Sequence, residues 1–64
     1  MKNAHNRILI IIPVYNESAS IVRLIYELDR MYPKWDILVV NDASEDGSGE
    51  LAEETGKATV IHLP

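Results

Sequence analysis

The sequence contains no cysteine, and this absence excludes disulfide bonds, thiolate metal sites and cysteine redox chemistry. A chain without cysteine is more typical of the cytosol than of secreted proteins, so we expect a cytoplasmic protein. Basic residues are also few: six Lys and Arg stand against ten Asp and Glu, which gives a formal net charge of -4. Because nucleic-acid binding requires clustered Lys and Arg, the composition argues against a nucleic-acid partner.

Long hydrophobic runs are absent as well. The aliphatic run Ile8–Ile12 is far shorter than the ~20 residues that a membrane-spanning helix needs, and no small-residue cleavage site follows it. A chain of 64 residues can form one small hydrophobic core. We therefore predict a single structural unit over residues 1–64, in which residues 1–7 form a flexible polar lead-in and His5 is a solvated side chain.

Apolar runs alternate with segments of helical periodicity. The continuous run Ile8–Ile12 predicts a strand that is buried on both faces, and Pro13 is expected to end its pairing because proline cannot donate to a sheet ladder. Residues 18–32 carry apolar side chains at intervals of three and four, which predicts an amphipathic helix. Ser18 is its expected N-cap, and Pro33 is expected to end it.

The second half of the chain repeats this pattern. Asp36–Val40 predicts another buried strand, Ser48 the N-cap of a short helix, Gly56 its left-handed C-terminal residue, and residues 58–63 a third strand. His62 alternates with apolar neighbours and is expected to be structural or exposed. The order βαβαβ predicts an α/β fold: half of a Rossmann-like parallel sheet with strand order 3-2-1 and helices on its faces in three layers.

Polar side chains follow the first two strands at their carboxyl ends, which lie at the same edge of a parallel sheet about 5 Å apart. Tyr15 has the aromatic face on which a nucleobase stacks, and Asp42 has a carboxylate that accepts from a base N–H. Glu17 offers an acceptor for base or ribose, and Pro13 and Val40 would line the slot. The sequence itself leaves a structural alternative equally open.

In that alternative, Asp42 and Ser44 initiate a turn and Glu17 begins a helix. The dinucleotide pattern Gly-x-Gly-x-x-Gly and the Walker lysine are both absent, so neither of those phosphate-binding devices is predicted.

Two motifs together resemble a known family. Residues 12–17 read Ile-Pro-Val-Tyr-Asn-Glu, and residues 39–47 read Val-Val-Asn-Asp-Ala-Ser-Glu-Asp-Gly. This pair resembles the opening of the family-two glycosyltransferases and their relatives, the polyprenyl-phosphate (dolichyl-phosphate type) sugar transferases, over Ile8–Leu63. The resemblance implies a GT-A fold and inverting sugar transfer from a UDP- or GDP-sugar. It also implies nucleotide contacts from five residues: Pro13, Tyr15, Glu17, Val40 and Asp42.

The same resemblance implies what this stretch does not contain. The family's Asp-x-Asp motif, which holds Mg²⁺ or Mn²⁺, and its later acidic general base have no counterpart here. We therefore expect no catalytic or metal-binding residue in this chain, which would be the inactive amino-terminal piece of a longer enzyme. We expect membrane contact only through parts of the enzyme that this chain does not include, or through a lipid-phosphate acceptor. The contact would be at the cytoplasmic face of the membrane. The family usually has glycine where this chain has Ala43.

Two non-catalytic alternatives remain. The acidic loop matches the spacing of an EF-hand calcium loop, at Asp42, Ser44, Asp46, Ser48, Glu50 and Glu53. Against it, an EF-hand loop is entered from a helix, whereas Asp36–Val40 predicts a strand, and Gly49 stands where an aliphatic residue is usual. The other alternative is an assembly module, because Ile8–Ile12 would form an exposed apolar edge that favours homo-oligomerisation.

Overall fold

The computed structural model describes residues 7–64, so His5 and most of the predicted lead-in lie outside the described residues. The described part forms five elements in the order β1 (Leu9–Val14), α1 (Ile21–Met31), β2 (Asp36–Asp42), α2 (Ser48–Glu54) and β3 (Thr59–Leu63). β1 and β3 both pair with β2 in parallel. This arrangement confirms the predicted α/β class and three-stranded parallel sheet.

The sheet has the order β1-β2-β3, and the predicted listing 3-2-1 is corrected accordingly. Counted from either edge, β2 lies in the centre. Each connection between consecutive strands is a helix-containing crossover, as parallel pairing requires. Two right-handed crossovers that advance in the same direction across a sheet place both helices on the same face.

The hydrophobic core accordingly lies on one face of the sheet only. Ile21 and Ile25 of α1 and Ala52 of α2 are buried against this face. Because side chains alternate along a strand, each strand contributes every second residue to the core. These strand residues are Ile10, Ile12, Val14, Ile37, Val39 and Val60. The fold is therefore two-layered, and the prediction of helices on both faces was wrong.

The other face of the sheet is uncovered by any described residue. We call it the bare sheet face, and its apolar side chains are Leu9, Ile11, Pro13, Leu38, Val40, Ile61 and Leu63. Ile11 is 58% exposed, and Leu9, Ile61 and Leu63 are also exposed. The prediction that Ile8–Ile12 is buried on both faces was wrong, because only Ile10 and Ile12 point toward the helices.

Pro13 does not end the first strand. It lies inside β1 as the register partner of Val40, and pairing continues to Val14. β1 is an edge strand of the sheet, where alternate residues direct their N–H groups away from the neighbouring strand. A proline at such a position removes no ladder hydrogen bond, which explains why the strand passes through it.

The helix starts also differ from the prediction. α1 begins at Ile21, Ser20 occupies the cap position without a side-chain capping hydrogen bond, and Ser18 is not the N-cap. Ser48 is not a cap either: it is the first residue of α2 and follows Gly47, which has a left-handed φ of 83°. Gly56 does adopt the predicted left-handed conformation, with a φ of 69°. Within residues 7–64, neither helix has the length and apolarity that a membrane crossing requires.

Candidate functional site

The carboxyl ends of β1 and β2 form the edge at which the sequence places a nucleotide site. Pro13 and Val40 are register partners there, so their side chains lie next to each other on the bare sheet face. Asp42 follows Val40 by two residues in the same strand and therefore lies on the same face. Asp42 is exposed at the strand end, free of cover from either helix.

Tyr15 and Glu17 lie in the loop that follows β1. Tyr15 is 61% exposed, so its ring is accessible to a ligand. Glu17 has an exposed side chain, but its backbone belongs to the approach to α1: its carbonyl accepts from the N–H groups of Ser20 and Ile21 at 3.1 and 3.0 Å. Its carboxylate also accepts from the Ser20 hydroxyl at 3.2 Å. Glu17 does not begin the helix, as the structural alternative expected, because α1 starts at Ile21; it closes the turn that precedes α1.

Asn16 joins the loop after β1 to the loop after β2. Its backbone N–H donates to the hydroxyl of Ser44 at 3.0 Å, and its side-chain oxygen accepts from the N–H of Glu45 at 2.8 Å. Asn16 has a positive φ of 53°, a conformation that asparagine adopts more readily than most residues. This pair of bonds holds Tyr15 and Glu17, the neighbours of Asn16, against the second loop.

Asp46 makes a second connection between the two loops. Its carboxylate accepts from the backbone N–H of Ser18 and from the backbone N–H of Ser48, each at 3.0 Å, and from the Ser48 hydroxyl. The Ser48 hydroxyl in turn accepts from the N–H of Glu17 at 2.7 Å. The hydrogen bond from Ser48, followed by that from Ser18, holds the pKa of the Asp46 carboxyl well below its usual range.

A buried asparagine near the end of β2 holds the loop that follows this strand. Asn41 is only 4% exposed, and its side-chain oxygen accepts from the N–H of Ser44 at 3.1 Å. Its amide nitrogen lies 3.0 Å from Nδ1 of His62, whose Nε2 lies 3.3 Å from a carboxylate oxygen of Glu53. His62 therefore has a structural role, since it ties β3 to both α2 and the end of β2.

The EF-hand interpretation does not fit this arrangement. The element that enters the acidic loop is β2, not a helix. Asp46, which would be a central ligand, already uses both carboxylate oxygens in hydrogen bonds to the loop backbone and Ser48. Among residues 7–64, no three His, Asp or Glu side chains gather closely enough to hold a metal ion. No described residue set therefore fits the divalent metal that the family resemblance implies.

The candidate site is an open surface. Two cavities of about 230 and 240 Å³ lie elsewhere, one beside Trp35 and Lys57 and the other between Tyr26 and Glu54. None of the five predicted nucleotide contacts lines either of these two cavities. The predicted contacts are thus placed around one edge of the sheet, apart from these two cavities.

Sequence reasoning missed the residues that join the loops. It treated Asn16 as part of a motif, Ser44 as a possible turn residue, and Ser44 and Asp46 as ligands only in the alternative calcium-loop interpretation. The available signal was their residue type, because short Asn, Asp and Ser side chains bond to nearby backbone N–H groups in turns. What the sequence does not show is that the N–H groups in question belong to the other loop.

Comparisons with known proteins give the same family as the two motifs. The family model described as Glycosyl transferase family 2 matches residues 9–64. The undecaprenyl-phosphate mannosyltransferase of Micrococcus luteus is 47% identical over 47 residues, which are 73% of this chain and 19% of the relative. The polyprenol monophosphomannose synthase of Mycolicibacterium smegmatis is 42% identical over 52 residues, 81% of this chain and 20% of the relative.

A third relative transfers a different sugar, according to its name. The undecaprenyl-phosphate 4-deoxy-4-formamido-L-arabinose transferase of Salmonella choleraesuis is 31% identical over 61 residues, 89% of this chain and 19% of the relative. The chain thus spans about a fifth of the length of the curated relatives it matches. No solved structure gives a significant match.

Proposed function

The chain belongs to glycosyl transferase family 2, and on that basis we propose that it forms the nucleotide-binding part of an inverting sugar transferase. The donor is a UDP- or GDP-sugar, and the acceptor is a polyprenyl phosphate. The acceptor is supported by the names of the relatives, which all specify a polyprenyl or undecaprenyl phosphate substrate or product. The enzyme would act at the cytoplasmic face of a membrane.

The observation that carries the nucleotide proposal is the alignment of the two motif loops at one sheet edge. Tyr15 offers an exposed aromatic ring on which a base can stack, and Asp42 offers an exposed carboxylate for a base N–H. Pro13 and Val40, paired in register, supply an apolar floor beside Asp42. Glu17 would accept from the ribose or the base at the rim.

We propose that catalysis requires residues other than those of this chain. A family-two enzyme uses Mg²⁺ or Mn²⁺ to hold the donor diphosphate, and no described residue set here fits that ion. We therefore expect this chain to bind the nucleotide portion of the donor without transferring the sugar. The residues that carry the metal and act as general base are expected in the remainder of the enzyme.

The experiment is a titration of the isotope-labelled chain with UDP and GDP, followed by two-dimensional NMR. Tyr15 and Asp42 should shift with one of the two nucleotides, and the preferred nucleotide identifies the base. Asp42→Asn replaces the acceptor by a side chain with one oxygen, so we expect roughly tenfold weaker binding. Glu27→Gln removes the same charge from the exposed face of α1 and should leave binding unchanged. Absence of shifts at millimolar UDP and GDP would disprove nucleotide binding by this chain.

A second candidate function is self-assembly, and the bare sheet face favours it. β1 pairs with β2 on one side only, so its other side is an unpaired strand edge within the described residues. The exposed side chains of Leu9 and Ile11 belong to this same strand. We propose that a second copy of the chain pairs along this edge and covers part of the apolar surface. Light scattering at increasing concentration tests the proposal.

The variant for this test is Ile11→Lys, which places a charge on the proposed interface. Met31→Lys is its matched control, because Met31 is 52% exposed on α1, away from the sheet, while Ile11 is 58% exposed. We expect only Ile11→Lys to shift the chain toward monomer. A wild-type chain that stays monomeric at high concentration would rule assembly out.

A further inference from the structure

Three consecutive backbone N–H groups in the loop after β1 donate to side chains of the loop after β2 and of the first residue of α2. Those of Asn16, Glu17 and Ser18 donate to acceptors at 3.0, 2.7 and 3.0 Å. The three acceptors are the hydroxyls of Ser44 and Ser48 and the carboxylate of Asp46. Successive N–H groups of this kind attract anions. Here the protein itself supplies the acceptors, two hydroxyls and one carboxylate, so these donors are unavailable to a nucleotide phosphate.

Asp46 is the residue on which this arrangement depends. One carboxylate oxygen accepts from Ser18, and the other accepts from both the N–H and the hydroxyl of Ser48. Because the Ser48 hydroxyl donates its only proton to Asp46, its lone pairs are directed elsewhere, and one of them accepts from the Glu17 N–H. Asp46 thus binds Ser18 directly and Glu17 through Ser48.

We propose that Asp46 is a positioning residue for nucleotide binding, which holds Tyr15 and Glu17 in the place they need relative to Asp42. The inference rests on the proposed function. Asp46 does not touch the nucleotide in this proposal, since both its oxygens are already engaged by loop donors. It acts through the backbone of residues 17 and 18, and therefore on the affinity for the nucleotide more than on the stability of the core.

The carboxylate form of Asp46 is needed because three hydrogen-bond donors point at its two oxygens. Three donors converge on two oxygens, and a carboxylate can accept from all of them. Asparagine has the same shape but only one oxygen, and its NH₂ group would face either the Ser18 N–H or the Ser48 donors. Asp46→Asn therefore breaks one side of the connection while it preserves side-chain volume.

The test compares the wild-type chain with Asp46→Asn and with Glu27→Gln, a matched charge change on the exposed face of α1. Amide hydrogen exchange by NMR reports the connection without any ligand. We expect the Ser18 or Glu17 amides to exchange at least roughly tenfold faster in Asp46→Asn, with amides of the β2 core unchanged. UDP and GDP titrations of the same samples should show binding about tenfold weaker in Asp46→Asn and unchanged in Glu27→Gln.

A purely structural role would lower the thermal midpoint but leave the affinity of the folded chain as it is, so unchanged affinity in folded Asp46→Asn overturns the inference. Unchanged exchange at Ser18 and Glu17 overturns it as well. If Asp46→Asn does not fold, Ser48→Ala takes its place, since it removes the hydroxyl that joins Asp46 to the Glu17 N–H and should weaken nucleotide binding in the same way. Unchanged binding in Ser48→Ala then overturns the inference.

Failure of the proposed function gives a different result. In that case the wild-type chain itself shows no shifts with UDP or GDP, whatever the exchange rates are. Failure of the positioning role alone gives a wild-type chain that binds nucleotide and an Asp46→Asn variant that binds it equally well.

Discussion

Asn41 and His62 are register partners on neighbouring strands, and the amide nitrogen of Asn41 lies 3.0 Å from Nδ1 of His62. The orientation of this amide is fixed from the other side, because its oxygen accepts from the backbone N–H of Ser44. The NH₂ group must therefore face the ring, and a neutral His62 must accept at Nδ1. The ring proton then lies on Nε2, where it can be donated to the Glu53 carboxylate 3.3 Å away.

The first prediction is this tautomer of His62. In ¹⁵N-labelled protein, at a pH at which the ring is neutral, we expect a pyrrole-type shift on Nε2 and a pyridine-type shift on Nδ1. Asn41→Asp replaces the donor NH₂ by a carboxylate, which accepts from the ring and should bring a proton to Nδ1. A wild-type ring that carries its proton on Nδ1 would show that the Asn41 amide is oriented the opposite way.

The second prediction concerns Gly49, in the first turn of α2. A Cβ at this position would lie 2.7 Å from Cε1 of His62 and closer still to the side-chain nitrogen of Asn41. Glycine is thus required by the close approach of α2 to the end of the sheet. Gly49→Ala should lower the free energy of unfolding by about 1–3 kcal/mol, as overpacking usually does, measured by urea titration.

The control for Gly49→Ala is the same change in combination with His62→Ala. Removal of the ring relieves one of the close contacts, so the two substitutions together should destabilise by less than the sum of their separate effects. Strict additivity would mean that the helix shifts away from the sheet without meeting His62.

Sequence patterns predicted the elements of this fold better than their ends and their layering. The continuous apolar run Ile8–Ile12 and the helical spacing in residues 18–32 can each be recognised from a short stretch of sequence. The strand and the helix that they predict are both present. The ends depend on tertiary and turn contacts: Pro13 stays paired because β1 is an edge strand, and α1 starts at Ile21, after a turn in which the N–H groups of Ser20 and Ile21 donate to the Glu17 carbonyl. The bare sheet face results from both crossovers running in the same direction across the sheet. A short stretch of sequence carries no information about that direction.

The candidate site was predictable to a similar extent. Parallel strands bring their carboxyl ends together, so the placement of the loop that contains Tyr15 and the strand end at Asp42 along one sheet edge followed from the strand pattern. The bonds from Asn16 to Ser44 and Glu45 did not, because Asn and Ser bond to their own loop as readily as to another one. Whether the five predicted contacts meet a nucleotide stays a prediction until the titration is done.

The third prediction concerns Ala43, which follows β2 and has a positive φ of 57°. An L-residue with a Cβ is strained in this left-handed region by roughly 1–2 kcal/mol, whereas glycine is not. This conformation explains why glycine is usual at the position in the family that the motifs resemble. Ala43→Gly should therefore raise the free energy of unfolding by about 0.5–1 kcal/mol, after the entropy that glycine loses on folding is subtracted.

The matched control is Ala19→Gly. Ala19 is also exposed and lies outside the helices and strands, but it does not have a positive φ. The same substitution there should be neutral or slightly destabilising, because it adds only the backbone entropy of glycine. Stabilisation at both positions would point to an effect of glycine unrelated to φ.

The last prediction is the acid sensitivity that Asp46 contributes. Its hydrogen bonds from Ser48 and Ser18 lower the pKa of the carboxyl in the folded chain, relative to an unfolded value of about 3.9. A group with a lowered folded pKa adds stability that is fully present above the unfolded pKa and is lost as the pH falls through the folded pKa.

We therefore expect the gap in unfolding free energy between the wild-type chain and Asp46→Asn to be constant near neutral pH and to narrow once the pH falls below about 4. Urea titrations at a series of pH values measure this gap. Glu27→Gln removes an equal charge from α1 and reports the effect of net charge alone, which is subtracted. A gap that stays constant down to the acid transition would mean that folded and unfolded Asp46 bind protons alike, and that Ser18 and Ser48 do not stabilise its charged form.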